Sequence, residues 1–212
     1  MIVSVLLTAG LGLSLLYGFV LTHRPPSLLR AAVKTLATLS LAAIAIVEGT
    51  PTLLVLALLL GAMGDAFLSM DGETGFLAGL GAFLVGHVAY IGLMLQQGAV
   101  LFRFDHPAIA VLVMVAIGLI IQLRGRLGGL LVPVALYIAV SVGLGIAAIN
   151  LPLADGMYLA VAGVALFLLS DVILAQHLFV LNDNSTTARV TATILWLCYW
   201  CGQGLILAAF VS

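Results

Sequence analysis

Two aspartates, Asp65 and Asp171, stand 106 residues apart in a chain of 212, each inside a run of apolar residues that reads as a membrane-spanning helix. Their surroundings repeat: Gly64-Asp65-Ala66-Phe67-Leu68-Ser69 and Ser170-Asp171-Val172-Ile173-Leu174-Ala175 both follow the pattern small-Asp-x-apolar-Leu-small. An ionisable group in hydrocarbon is costly, and its presence there is a functional hypothesis by default. Lys34, the only lysine, lies about one turn into a further apolar run. It could snorkel to the interface, but its depth places it level with both aspartates. One ammonium cannot neutralise two carboxylates, so a site holding all three should keep one Asp ionised against Lys34 and leave the other able to act as an acid.

Other polar residues fall on helical stripes. Phe83, His87 and Tyr90 share one face of their segment, with Gly86 adjoining. His87 could relay a proton, orient water or bind a phosphate oxygen, or could simply hydrogen-bond a neighbouring helix. Near the C-terminus Trp196, Tyr199 and Gln203 are spaced three and four residues apart, and an amide in hydrocarbon demands partners. Tyr137 fits pocket lining and core packing equally. His177 and Glu48 fall near helix ends and are expected at the interface. Gly61, Gly64, Gly79, Gly86, Gly143 and Gly145 are expected to let helices approach closely.

The elements that position these groups follow from composition. Hydrophobic residues make up 64% of the chain and charged residues 7%, against roughly 25% charged in soluble domains, so an integral membrane protein is expected. Eight stretches match the roughly 20 apolar residues needed to cross a bilayer: 2–22, 29–47, 51–70, 75–95, 107–123, 128–149, 156–179 and 189–211. Breakers separate them, among them Arg24-Pro25-Pro26-Ser27, Asp71-Gly72-Glu73, Arg124-Gly125-Arg126 and Asn182-Asp183-Asn184-Ser185. The expected architecture is an all-α bundle of about eight transmembrane helices forming one domain over residues 1–212. The matching depth of the two aspartates allows two four-helix repeats about an axis along the membrane normal. Met1 to Val20 lacks a basic leader region and reads as the first span, not a cleavable signal. Arg24, Arg30, Arg124, Arg126 and Arg189 then fall on one side, which the positive-inside rule makes cytoplasmic, with both termini outside. The single lysine and the Ala/Leu/Gly-rich helices point to a bacterial cytoplasmic membrane.

Several classes are excluded or disfavoured. A net charge of −1 with few basic residues gives no footprint for nucleic acid. No P-loop, dinucleotide fingerprint or G-x-S-x-G elbow is present, and no cofactor is expected. A nearby lysine and the lack of paired histidines oppose a metal site. Cys198-x-x-Cys201 lies in an apolar run without a redox or zinc context and reads as packing. Two rivals to a hydrolase stay open: a proton-coupled transporter using the same Asp, Lys and His residues, and an intramembrane aspartyl protease, against which Ala62 stands where that class has a glycine.

Taken together, Lys34, Gly64-Asp65-x-x-Leu68, Phe83-x-x-Gly86-His87-x-x-Tyr90, Ser170-Asp171-x-x-Leu174-Ala175 and Tyr199-x-x-x-Gln203, in this order, resemble the YhhN family of eight-helix membrane proteins, whose animal members are lysoplasmalogenases. Where that family often has a proline soon after the lysine, this chain reads Lys34-Thr35-Leu36. The resemblance implies hydrolysis of the vinyl-ether bond of a lysophospholipid substrate drawn from the bilayer, releasing a fatty aldehyde and a glycerophospho-ethanolamine or glycerophosphocholine. It implies Asp65 and Asp171 as acid and base in either order. Lys34 would set their charge or hold the headgroup phosphate, and His87, Tyr90, Tyr199, Gln203, Phe83 and Tyr137 would line the substrate site.

Overall fold

The structure is a computed structural model that describes residues 1–154, 156–181 and 186–211. The described residues form eight α-helices: α1 (Ile2–Phe19), α2 (Leu28–Val47), α3 (Thr52–Phe67), α4 (Gly72–Gln96), α5 (Pro107–Leu123), α6 (Leu131–Ile149), α7 (Tyr158–Phe179) and α8 (Thr186–Ala208). Single 3-10 turns follow α1 and precede α6. Each helix falls on one of the eight expected stretches. Six are long and apolar enough to cross a membrane, whereas α3 and α5, with 16 and 17 residues, are shorter apolar helices. The polar segment 182–185, expected between α7 and α8, lies outside the described residues.

The ends are set by local chemistry. Ser27 caps α2 by accepting from the Arg30 amide, and Pro107 occupies the first turn of α5, where its missing N–H is not needed. Helix α2 closes at Gly49, whose φ of +64° lets the Thr50 amide reach back to the Ala45 carbonyl and its own amide to that of Ile46. Gly98, at φ +88°, closes α4 in the same way.

Neighbouring helices pack as α1–α2, α2–α3 and α3–α4 in the first half, and as α5–α6, α6–α7 and α7–α8 in the second. The halves join through α2–α8 and α4–α6, with α1 also on α8. A shift of four helices maps the first three pairings onto the second three and exchanges the two joints. An even shift preserves helix direction, as the expected repeat axis requires.

In lipid, close backbone approach replaces the hydrophobic drive between helices. At the α7–α8 crossing, a Cβ on Gly202 would lie 2.8 Å from the Gly163 carbonyl oxygen and 2.9 Å from the Phe167 amide nitrogen. Backbone atoms in two packed helices cannot yield. Gly202→Val is therefore expected to abolish the monodisperse folded protein in detergent size-exclusion chromatography. Gly204→Ala, where nothing lies within 4 Å, is expected to elute as the parent does.

Candidate active site

Asp65 sits near the end of α3 with its carboxylate 1% exposed. Its Oδ1 is 3.1 Å from Lys34 Nζ on α2. Its Oδ2 accepts hydrogen bonds from the Thr38 hydroxyl at 2.7 Å and the Tyr199 hydroxyl at 2.9 Å. Two further helices, α2 and α8, thus converge on this carboxylate of α3, supplying one full positive charge and two hydroxyl donors. Gly61 and Gly64 make room for this convergence. A Cβ on Gly61 would lie 2.6 Å from Gln203 Nε2, and one on Gly64 would lie 2.5 Å from the Phe83 ring.

Asp171, on α7, is held differently. Its Oδ1 accepts from the Tyr137 hydroxyl at 3.0 Å, and its Oδ2 is 3.1 Å from His87 Nε2. His87 is 1% exposed and Asp171 14%. The other imidazole nitrogen, Nδ1, lies 2.8 Å from the Phe83 carbonyl oxygen. A carbonyl only accepts, so Nδ1 carries a proton and donates it. The Nε2–Oδ2 contact then holds one mobile proton, either on an imidazolium facing a carboxylate or on a carboxylic acid facing a neutral imidazole.

The expected constellation is accordingly divided in two. Lys34 pairs with Asp65, while Asp171 pairs with His87 and Tyr137. The two sets correspond position by position. Lys34 and Tyr137 are each the seventh residue of their helix, Thr38 and Ser141 the eleventh, and Asp65 and Asp171 the fourteenth. Each carboxylate takes one further partner from the last helix of the opposite half, Tyr199 of α8 for Asp65 and His87 of α4 for Asp171. The sets diverge at two places: a lysine faces Asp65 where a tyrosine faces Asp171, and the partner from the opposite half is a tyrosine for Asp65 and a histidine for Asp171. Ser141 occupies the Thr38 position, beside Tyr137, but its buried oxygen makes no hydrogen bond of normal geometry.

Phe167 of α7 joins the two sets. Its ring centroid is 5.4 Å from that of Tyr199 and 4.8 Å from that of His87, with Phe83 packed edge-on at 6.4 Å. The Tyr90 hydroxyl donates to Gln203 Oε1, while Gln203 Nε2 is buried without a partner among the described groups. The α8 stripe therefore serves three ends. Trp196 donates to Ser14 on α1, Tyr199 to Asp65, and Gln203 accepts from Tyr90 on α4. Thr38, Ser141 and Phe167 were not singled out from sequence. A constant spacing of 103 positions, from Lys34 to Tyr137 and from Thr38 to Ser141, is the signal that identifies the first two. Cys198 and Cys201 are free thiols, the second exposed. Among the described residues, no group of three or more His, Cys, Asp or Glu side chains is placed to hold a metal ion.

Two cavities reach the site. A narrow slot of about 90 Å³ is lined by apolar side chains of α4, α5, α6 and α7, including Leu80, Leu112 and Leu168, and by Tyr137, Ser141 and Asp171. A wider vestibule of about 780 Å³ opens at the end of the bundle where α1 meets α2 and α3 meets α4, with Lys34 in its wall.

Residues 29–210 match the YhhN family model. Two curated relatives, each named lysoplasmalogenase, come from Mycobacterium bovis (strain ATCC BAA-935 / AF2122/97) and Mycobacterium tuberculosis (strain CDC 1551 / Oshkosh). Each is 32% identical over 162 residues, covering 74% of this chain and 59% of the relative. The chain thus spans about three fifths of the length of the relatives it matches. No solved structure matches. The family match runs from the start of α2 to beyond the end of α8 and takes in both carboxylate sets with all their partners, so the chain belongs to the YhhN family.

Proposed function

We propose that this protein hydrolyses the vinyl-ether bond of lysoplasmalogens, with Asp171 and His87 supplying the proton and Asp65 acting as the ionised carboxylate. The observation that carries this reading is the asymmetry between two corresponding carboxylates. Asp65 is matched by the fixed charge of Lys34, whereas Asp171 shares a mobile proton with a histidine whose tautomer is set by a backbone carbonyl. Two carboxylates held by such different partners, one by an ammonium and one by an imidazole, suit the two roles of an acid–base pair. The name borne by the two mycobacterial relatives supports the same activity.

The steps balance as follows. The shared proton passes to the alkenyl carbon distal to oxygen, forming a C–H bond and leaving an oxocarbenium-like carbon. Water adds to that carbon and its released proton goes to the Asp65 carboxylate, whose Oδ1 carries only Lys34 among its described partners. The hemiacetal hydroxyl proton then moves to the glycerol oxygen as the C–O bond breaks, giving aldehyde and alcohol. Transfer of the proton on Asp65 through solvent to the Asp171–His87 pair restores the starting state. Glycosidases use paired carboxylates against a related cation, an analogy of mechanism alone. Because the chain lies in a bilayer, the hydrocarbon tail of the substrate can remain among lipids during turnover.

Purified protein in detergent is expected to release long-chain aldehyde from a 1-alkenyl lysophospholipid and none from its saturated 1-alkyl counterpart. Absence of aldehyde from protein shown to be folded would sink the reading.

A further inference from the structure

We propose, resting on that reading, that the vestibule is the binding site for the phosphodiester headgroup of a lysophospholipid, the first carbons of whose hydrocarbon chain enter the apolar slot beside α7 while the rest stays among lipids. Four of the chain's seven basic residues, Arg24, Arg30, Lys34 and Arg189, line this one cavity, with Asp71 the only carboxylate among its described lining residues. Lys34 is already matched by Asp65, so the surplus positive charge belongs to the three arginines. Guanidinium groups bind phosphate oxygens in a fork geometry that an ammonium cannot reproduce.

The rim is also built. The Arg30 guanidinium donates to the Arg24 carbonyl at 2.8 Å, tying the start of α2 to the preceding loop. Ser27 and Ala31 line the same cavity, so the N-terminal end of the 20-residue α2 opens onto it and adds its partial positive charge. His177 contributes a buried Nδ1 that has no hydrogen-bond partner among the described groups. A volume of about 780 Å³ lies within the range of small-molecule sites, roughly 300–1,000 Å³.

Leu174 and Leu178 line both the vestibule and the slot, so the two volumes abut across one face of α7. Leu174 is one turn beyond Asp171. A lysolipid with its phosphate on the arginines and the start of its chain in the slot would pass its head-to-chain junction over that turn. In a 1-alkenyl lipid, this junction is the vinyl ether.

The test uses a lysophosphatidylcholine analogue carrying a saturated 1-alkyl ether, which the proposed acid chemistry leaves intact, so binding is read apart from turnover. In detergent solution, by calorimetry on the full chain, Arg24→Gln/Arg189→Gln is expected to weaken its binding by about tenfold or more, the scale of one lost charge-assisted contact. A monoalkylglycerol of the same chain length is expected to bind parent and variant alike, and Arg189→Lys in place of Arg189→Gln is expected to recover part of the loss. Glycerophosphocholine is expected to compete against the parent at concentrations where inorganic phosphate does not. Equal affinity of parent and folded double variant for the analogue overturns the proposal and leaves the arginines as interfacial anchors. Equal competition by inorganic phosphate overturns the assignment to a lipid headgroup. A parent that binds the analogue through these arginines yet releases no aldehyde from alkenyl lipid removes the hydrolase reading and leaves the headgroup site standing.

Discussion

Asp171→Asn is expected to lower aldehyde release by about a hundred- to ten-thousandfold, the range general acid catalysis contributes, with little change in folding. The side chain keeps its shape, and its amide can still accept from the Tyr137 hydroxyl and meet His87 Nε2, so both contacts that hold Asp171 survive. What disappears is the proton shared between Nε2 and Oδ2. The measurement is the initial rate of aldehyde formation by purified protein, with thermal melting in detergent as the fold control. A folded Asp171→Asn protein with parental rates would remove this residue from the chemistry. Asp65→Asn is expected to be similarly inactive for the opposite reason, since it removes the ionised carboxylate. Residual activity, where measurable, separates the roles: without the acid the profile loses its decline at high pH, and without the base it loses its decline at low pH.

Lys34→Met is expected to destabilise the protein strongly while leaving it able to fold. The ammonium is 3.1 Å from a carboxylate only 1% exposed, and removing one member of a buried ion pair typically costs about 3–5 kcal/mol because the other charge is left unmatched. Thr38 and Tyr199 still donate to Oδ2, but neither brings a charge. The melting temperature in detergent is expected to fall. The pH optimum of any remaining activity is expected to move. Lys34→Met/Asp65→Leu, which removes both charges, is expected to recover much of the stability and none of the activity. An unchanged melting temperature and pH profile in Lys34→Met would make the lysine a snorkelling residue with no part in the site.

The helices were legible because the bilayer demands length and apolarity, and those are properties of sequence. Breakers such as Pro107 and Asp71-Gly72 sit at the helix ends they forecast. The ionisable members of the site were legible for the complementary reason: Asp65, Asp171, Lys34 and His87 are conspicuous in hydrocarbon, and so is the amide of Gln203. Which of them meet was not legible. Helical stripes tell which residues share a face, but Tyr199 reaches Asp65 from 134 positions away and His87 reaches Asp171 from 84. Those distances are set by how α4 and α8 cross between the halves. Thr38 and Phe167 escaped notice because threonine and phenylalanine are ordinary in membrane helices. They gain meaning only through the carboxylate or the rings beside them.

The aromatic centre has an electrical consequence. A membrane protein with carboxylates, a lysine and a histidine buried in its core risks conducting protons and dissipating any gradient across the bilayer. Here Phe167 packs against both the tyrosine that holds Asp65 and the histidine that holds Asp171, while Tyr90 and Gln203 close on one another at the same junction. Hydrocarbon rings cannot pass a proton, so no proton path between the two titratable sets runs through Phe167. Under the proposed cycle they exchange protons only by way of solvent. Phe167 thus closes one route by which acid–base groups inside a membrane could become a wire through it.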